Sequence, residues 1–326
     1  MASCYLVLPP PVRTIPNCLT SFTRSLPSVQ LACQPVVFKP ISCSLRPKEE
    51  VSVTNLNFKK QLCRAKASMA GVSDEKTQGK VQVFDSEEDL ALALAKYVAH
   101  LSNQFVRERG AFTVVLSGGS LIKSLRKLVD APHIDSVDWA RWHIFWVDER
   151  VVPKDHPDSN YLLAHNGFLS KVPIPAGNVY AINDALSAEG AADDYETCLK
   201  HLVHNKIIEL SGTTGFPKFD LMLLGMGPDG HVASLFPGHP LVQESKKWVA
   251  YIKDSPKPPP ERITFSFPVI NSSAHVALVV AGAGKADVIR KALGSNDQKS
   301  DLLPVQMVSP EGNLAWFLDK DAASKL

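Results

Sequence analysis

The sequence predicts an α/β fold, a single domain whose mainly parallel sheet is flanked by helices. Three observations carry the prediction. Apolar runs recur at residues 112–116, 143–147, 219–224 and 275–281, continuous enough for strands buried on both faces. Stretches of helical periodicity separate them. Each run is followed at once by a glycine-bearing or charged cluster, and ligands of parallel sheets sit beyond the carboxyl ends of the strands.

Asp85-Ser86 offers an N-cap, and Leu90, Leu92, Leu94, Val98 and Leu101 supply the apolar face of a long first helix ending near Gly110. The strand at 112–116 runs into Ser117-Gly118-Gly119-Ser120, and helical spacing resumes over 119–130. The strand at 143–147 leads through Asp148-Glu149-Arg150 to a helix over 158–170, and a further helical stretch spans 187–210. Strands at 219–224 and 275–281, a helix at 284–293 and a last strand near 314–318 complete the order. The Pro-rich run 255–260 reads as a surface loop, because the segments on both sides complete one pattern.

With 45% hydrophobic and 21% charged residues, the 326-residue chain has the balance of an ordinary globular protein. Its charge is uneven. The first 68 residues hold nine of the 35 Lys/Arg but only two of the 33 acids, Glu49 and Glu50, leaving 26 basic against 31 acidic residues in the rest. That mildly acidic body argues against a nucleic-acid partner. No 18-residue apolar run occurs, which argues against a membrane span. Residues 1–70, rich in Ser, Thr and Pro, have the composition of a plastid transit peptide, with a plain disordered tail as the alternative. That leader implies the plastid stroma and, as a partner, the plastid import machinery. Ser324-Lys325-Leu326 matches a peroxisomal address read by an import receptor, a second expected destination that leaves 71–323 as the folded domain. Five of the six cysteines lie in the leader; Cys198 falls in an amphipathic helical pattern and reads as a packed structural thiol.

The four strand-end clusters are expected to converge on one crevice. In Ser117-Gly118-Gly119-Ser120, two glycines open backbone N–H groups at a helix N-terminus, which favours an anion such as phosphate; a plain strand-to-helix turn would use the same residues. Asp148-Glu149-Arg150, with Ser159-Asn160-Tyr161 downstream, suits binding of hydroxyls and an anion, or else a buried ion-pair network. Arg262 and Lys285 add two cations, each of which alone would read as a surface charge. Asp229 and His231 stand at the head of what reads as a short helix before Pro237, with Asp229 as its cap. There the imidazolium is disfavoured, so His231 is expected to be neutral, the form a general base needs; a hydrogen-bonded core histidine is the bland alternative.

Gly225-x-Gly227-x-x-Gly230 after a strand also matches the dinucleotide-binding fingerprint, but the chemistry is wrong for it. Asp229 would set a carboxylate where a pyrophosphate must approach, the segment before Pro237 is too short, and no second strand ending in an acid follows about 20 residues on.

Together, Leu116 to Ser120, Trp146 to Arg150 with His156-Pro157 and Ser159-Asn160-Tyr161, and Gly225 to Pro237 resemble 6-phosphogluconolactonase. Arg262-Ile263-Thr264, Gly284-Lys285-Ala286 and Trp316 to Asp319 fit as well, so the resemblance spans about residues 80–322, and with the leader the chain looks like a plastid-type plant member. The family implies a modified Rossmann-like α/β fold shared with glucosamine-6-phosphate deaminase. That sibling carries Tyr at the position of Arg150 and Phe-Asn-Glu where Ser234-Leu235-Phe236 stand here, so both departures favour the lactonase. Leu121-Ile122 replaces the Thr-Pro of many members without removing a functional group. The resemblance implies hydrolysis of a phosphosugar lactone, 6-phospho-D-glucono-1,5-lactone, to 6-phosphogluconate, with no metal or cofactor. By analogy His231 would be the base on water and Asp229 would orient it, while Ser117, Gly118, Gly119, Ser120, Asp148, Arg150, Arg262 and Lys285 would hold phosphate and sugar. The alternatives are a deaminase-like isomerase and a non-catalytic phosphosugar-binding protein.

Overall fold

The computed structural model describes residues 79–294 and 302–326. The expected transit peptide and the five leader cysteines lie outside them. Strand β1 (Lys80–Phe84) opens the domain and was not foreseen: its alternating Lys-Val-Gln-Val lacks the continuous apolar run that marks the inner strands. Helix α1 (Glu87–Arg109) starts where expected, Ser86 Oγ accepting from Asp89 N–H, and stops at Gly110, whose left-handed conformation (φ 75°) closes the last turn. Strand β2 (Phe112–Leu116) is buried along its whole length.

After the Ser-Gly-Gly-Ser turn the expected helix over 119–130 divides into α2 (Ser120–Ser124) and a 3-10 turn at Leu125–Val129. Strands β3 (Trp142–Trp146) and β4 (Asp148–Arg150) follow, separated by Val147. Helix α3 (Asn160–Gly167) is capped by Ser159. Helix α4 (Ala188–His204) ends short of the predicted 210, where β5 (Glu209–Leu210) pairs with β6 (Pro217–Lys218) in a two-stranded ribbon. Then come β7 (Leu221–Leu224), β8 (Val249–Ile252), β9 (Arg262–Phe265), helix α5 (Phe267–Asn271), β10 (His275–Val280), helix α6 (Ala286–Leu293) and β11 (Asn313–Asp319).

Six strands form one parallel sheet in the order β1-β11-β10-β7-β2-β3. The chain moves outward from β2 to β3, then returns to the other side of β2 with β7 and continues away to β10. The direction of winding therefore reverses between β2 and β7, which is where open parallel sheets leave a crevice at the carboxyl ends of their strands. Side chains alternate across the sheet. Leu221 and Leu223 of β7 pack with Val114, Leu116 and the α1 face (Leu90, Leu94, Val98), whereas Met222 and Leu224 pack with Val115, Phe145 and the α4 face (Ala191, Tyr195, Leu199). A second sheet, β4-β9-β8, is antiparallel and is tied to the first where Phe265 N–H donates to Val147 O at 2.7 Å. None of the described helices is long and apolar enough to cross a membrane.

Candidate active site

The four strand-end clusters do share one crevice. A cleft of about 300 Å³ is bordered by Ser117, Gly118, Gly119 and Ser120 after β2, Asp148 and Arg150 of β4, the Gly225–His231 turn after β7, Arg262 of β9, and Lys285 after β10. Asn160, from the Ser159-Asn160-Tyr161 stretch, lines it too, and so does Lys257, which sequence reasoning did not place there. A wider hollow of about 660 Å³ near Leu241, Lys247 and Tyr251 gathers neither His231 nor a glycine turn.

The segment holding Asp229 and His231 is not the short helix expected. Gly227 N–H donates to His231 O at 2.9 Å and Gly230 N–H to Gly227 O at 3.0 Å, so the chain folds back on itself as a compact loop. Residues two apart do not face each other on a helix, but in the loop they meet: His231 Nδ1 lies 2.6 Å from Asp229 Oδ1. The close approach is possible because position 227 is glycine; a Cβ there would sit 2.0 Å from His231 Nδ1 and 2.5 Å from Asp229 Oδ1. The second glycine of the apparent nucleotide fingerprint thus serves an acid–histidine pair.

Burial holds the His231 imidazole below its ordinary range, Asp229 pulls it upward, and the Lys257 ammonium adds to the depression. Burial, and not a helix terminus, is thus what favours the neutral imidazole of His231. For Asp229, burial opposes charge, but the hydrogen bond and charge of His231, together with Lys257, prevail and hold its carboxyl down at about 2. Lys257 Nζ stands 3.0 Å from Asp229 Oδ1 and 3.2 Å from His231 Nδ1. The Phe236 ring lies 4.7 Å from the imidazole, centroid to centroid.

Across the cleft, Asp148 is buried, accepts from Ser234 Oγ at 2.9 Å and borders the cavity. Arg150 donates through Nη1 to Asp158 O at 2.8 Å, while its buried Nε has no protein partner. Glu149 points away from the cleft: its carboxylate collects the N–H groups of Arg150, Asn160 and Tyr161 and so anchors the start of α3. Asn160, fixed through Nδ2 to Asp148 O at 3.0 Å, presses its Oδ1 against Gly118, where a Cβ would meet it at 1.8 Å. Lys285 reaches back over the turn to Met226 O at 2.6 Å.

Arg262 departs from its expected role of meeting substrate with a free charge. It is 3% exposed, and its guanidinium is committed to protein: Nε to Pro259 O at 3.0 Å, Nη2 to Lys257 O and Pro258 O at 2.9 Å each, and Nη1 to Ser234 Oγ at 3.4 Å. It borders the cleft but spends its donors on the proline-rich loop. No local pattern around residue 257 marked it as a site residue; the one available signal was a lysine inside a proline run shortly before Arg262. Among the described residues no group of His, Cys, Asp and Glu side chains is arranged to hold a metal ion.

Comparison with known proteins bears on the same residues. The family described as glucosamine-6-phosphate isomerases/6-phosphogluconolactonase matches residues 85–316. A protein of Oryza sativa subsp. indica named probable 6-phosphogluconolactonase 4, chloroplastic, is 72% identical over 248 residues, 76% of either chain. The 6-phosphogluconolactonase 3, chloroplastic, of Arabidopsis thaliana is 68% identical over 260 residues, 79% of either chain. Among solved structures, 6-phosphogluconolactonase from Trypanosoma brucei superposes with a TM-score of 0.66 at 26% identity, covering 77% of this chain and 99% of that one.

Proposed function

We propose that this chain, which belongs to the family of glucosamine-6-phosphate isomerases and 6-phosphogluconolactonases, hydrolyses 6-phospho-D-glucono-1,5-lactone to 6-phospho-D-gluconate in the cleft between β2 and β7. This is the hydrolytic step of the oxidative pentose phosphate pathway. The observation that carries the reading is the Asp229–His231 pair at 2.6 Å on the wall of a cleft also lined by a glycine turn and four cationic side chains, Arg150, Lys257, Arg262 and Lys285.

A carboxylate can only accept, so a contact this short requires the proton to sit on His231 Nδ1, leaving Nε2 with a free lone pair. In the proposed reaction Nε2 takes a proton from water as the water oxygen bonds to the lactone carbonyl carbon. The bond from that carbon to the ring oxygen then breaks, and His231 returns the proton to the departing ring oxygen. Base catalysis of this kind contributes about 10²- to 10⁴-fold. Arg150, Lys285 and the Ser117–Ser120 turn supply the phosphate and hydroxyl contacts, with Asp148 facing the sugar. Arg262 is assigned to the loop that carries Lys257.

His231 has Asp229, Lys257 and Phe236 about its ring, so a glutamate at the position of Phe236, the sibling deaminase's helper, is absent here. Incubating the full chain with freshly made lactone and, separately, with glucosamine 6-phosphate tests the reading. Rapid ring opening above the spontaneous rate with no ammonia release is expected. Ammonia release would move the assignment to the isomerase branch, and inertness toward both would leave a binding protein.

The relatives named chloroplastic, together with the Ser/Thr-rich, acid-poor composition of residues 1–70, support plastid residence and import as a processed precursor. For Ser324-Lys325-Leu326 we propose a minor peroxisomal pool; Lys325 is paired with Asp287 at 2.7 Å, so receptor capture would have to break that surface contact. A fluorescent fusion carrying Lys325→Ala whose distribution matches the parent would dismiss it.

A further inference from the structure

Lys257 is a charged side chain at the Asp229–His231 pair that the proposed chemistry does not yet use. Its position is built, since three separate contacts brace the loop that carries it. Ser255 N–H donates to Pro260 O at 3.2 Å, closing the loop. Ser255 Oγ donates to Lys257 O at 2.9 Å. Arg262, buried beneath, holds the carbonyls of residues 257, 258 and 259 with its Nε and Nη2 donors. The same guanidinium lies 5.7 Å over the Phe236 ring, and Phe236 packs on the His231 imidazole. One buried arginine therefore fixes both the loop that presents Lys257 and the aromatic wall behind the histidine.

An ammonium has three donors and no acceptor, and Asp229 Oδ1 lies within reach of both Lys257 Nζ and His231 Nδ1. Since Nδ1 already gives its proton to Oδ1, the 3.2 Å approach of Nζ to Nδ1 is a juxtaposition of two donors around one shared oxygen. A cation in that place does two things. It keeps Asp229 ionised, so the ring cannot rotate to expose Nδ1 without breaking a charged contact, and its field disfavours a second proton on the ring.

We propose that Lys257 is a positioning residue, presented by the Arg262-braced loop, that shares the Asp229 carboxylate with His231 and thereby keeps Nε2 of His231 unprotonated and turned to its task. The proposal rests on the lactonase reading with His231 as base. The charged groups acting on the imidazole are Asp229 and Asp148, which favour its protonation, and Lys257, which opposes it; Lys285 stands in the same field, its own ammonium weakened by burial and then by Lys257. Removing the Lys257 charge thus raises the affinity of His231 for a proton, and a base that is protonated is inactive. Activity is expected to suffer most on the acid side and to recover as pH rises.

The test uses Lys257→Met and Lys257→Arg in the full chain, with kcat and KM measured across pH and His231 followed by NMR in ring-labelled protein. Lys257→Met is expected to lose roughly tenfold in kcat/KM at pH 6, the loss shrinking toward pH 8, as expected for one charge removed beside a titrating base. The His231 titration should move to higher pH in step, and Lys257→Arg should restore both. Arg262→Lys, which frees the loop while leaving the Lys257 charge, should shift the titration in the same direction by less. A pH-independent loss confined to KM would overturn the proposal in favour of direct substrate contact, and an unmoved His231 titration would overturn it outright. The NMR arm needs no turnover, so a chain inert toward the lactone would refute the lactonase reading while the Lys257–His231 coupling is still measured.

Discussion

At the scale of single residues, the site is most sensitive where backbone has made room for chemistry. Gly227→Ala is expected to lose about 100-fold or more in kcat, since its methyl would occupy the space of His231 Nδ1 and Asp229 Oδ1, and, because position 227 is buried, to destabilise by about 1–3 kcal/mol through overpacking. A stable variant with near-parental kcat would show that the pair does not need this approach. Asp229→Asn keeps the shape but removes the charge that fixes the Nδ1 proton; a loss of roughly 10- to 100-fold in kcat with KM little changed is expected, and kinetics across pH would show it. Most of this site was legible because glycines and charges directly after apolar strands are unusual enough to be noticed. Asp229 as a helix cap was misread: a glycine every two or three residues gives the chain a loop that no periodicity could distinguish from a short helix. Lys257 was missed because its relation to His231 is purely spatial.

At the scale of elements, the strand-to-helix turn after β2 depends on a helix distant in sequence. Glu149 gathers the first N–H groups of α3, which seats Asn160 against Gly118. Gly118→Ala should therefore destabilise by about 1–3 kcal/mol through overpacking and impair the phosphate-side turn. Adding Asn160→Ala to it should recover part of both losses, a coupling of about 0.5 kcal/mol or more between residues in contact. Denaturant melts of the four proteins in the cycle measure this, and simple additivity would contradict the packing argument. The inner strands announced themselves by unbroken apolar runs. The short strands of the second sheet did not, because three or four residues carry too little pattern, and β1 was missed because this edge strand buries none of its residues fully and leaves Val81 and Val83 exposed, so it needs no apolar run.

At the scale of the whole molecule, buried titratable groups set the pH range in which the fold holds. Burial, followed by the Arg109 guanidinium, pushes His143 down to about 4 from its ordinary 6.5. Between those values the unfolded chain takes up a proton that the folded one refuses, so stability is full above pH 6.5 and is lost as pH falls toward 4. Glu149 acts in the opposite sense: burial pushes it up to about 7 against its backbone donors, so the folded state gains a proton, and stability, as pH falls from 7 toward 4.5. His143→Gln is expected to lower Tm less on acidification from pH 6.5 to 4.5 than the parent does. An unchanged slope would mean that His143 is already charged in the fold. The order of the parallel sheet was not readable, since apolar runs do not reveal their neighbours, yet it alone explains why turns more than 100 residues apart meet at the β2–β7 reversal. The central claim is that this meeting place hydrolyses a phosphosugar lactone with His231 as base. Its most direct test is turnover of fresh 6-phosphogluconolactone by the full chain beside His231→Ala, spontaneous ring opening subtracted. Fast parental turnover with a loss of about 100-fold or more in the variant is the predicted result; a variant as fast as its parent would contradict the account.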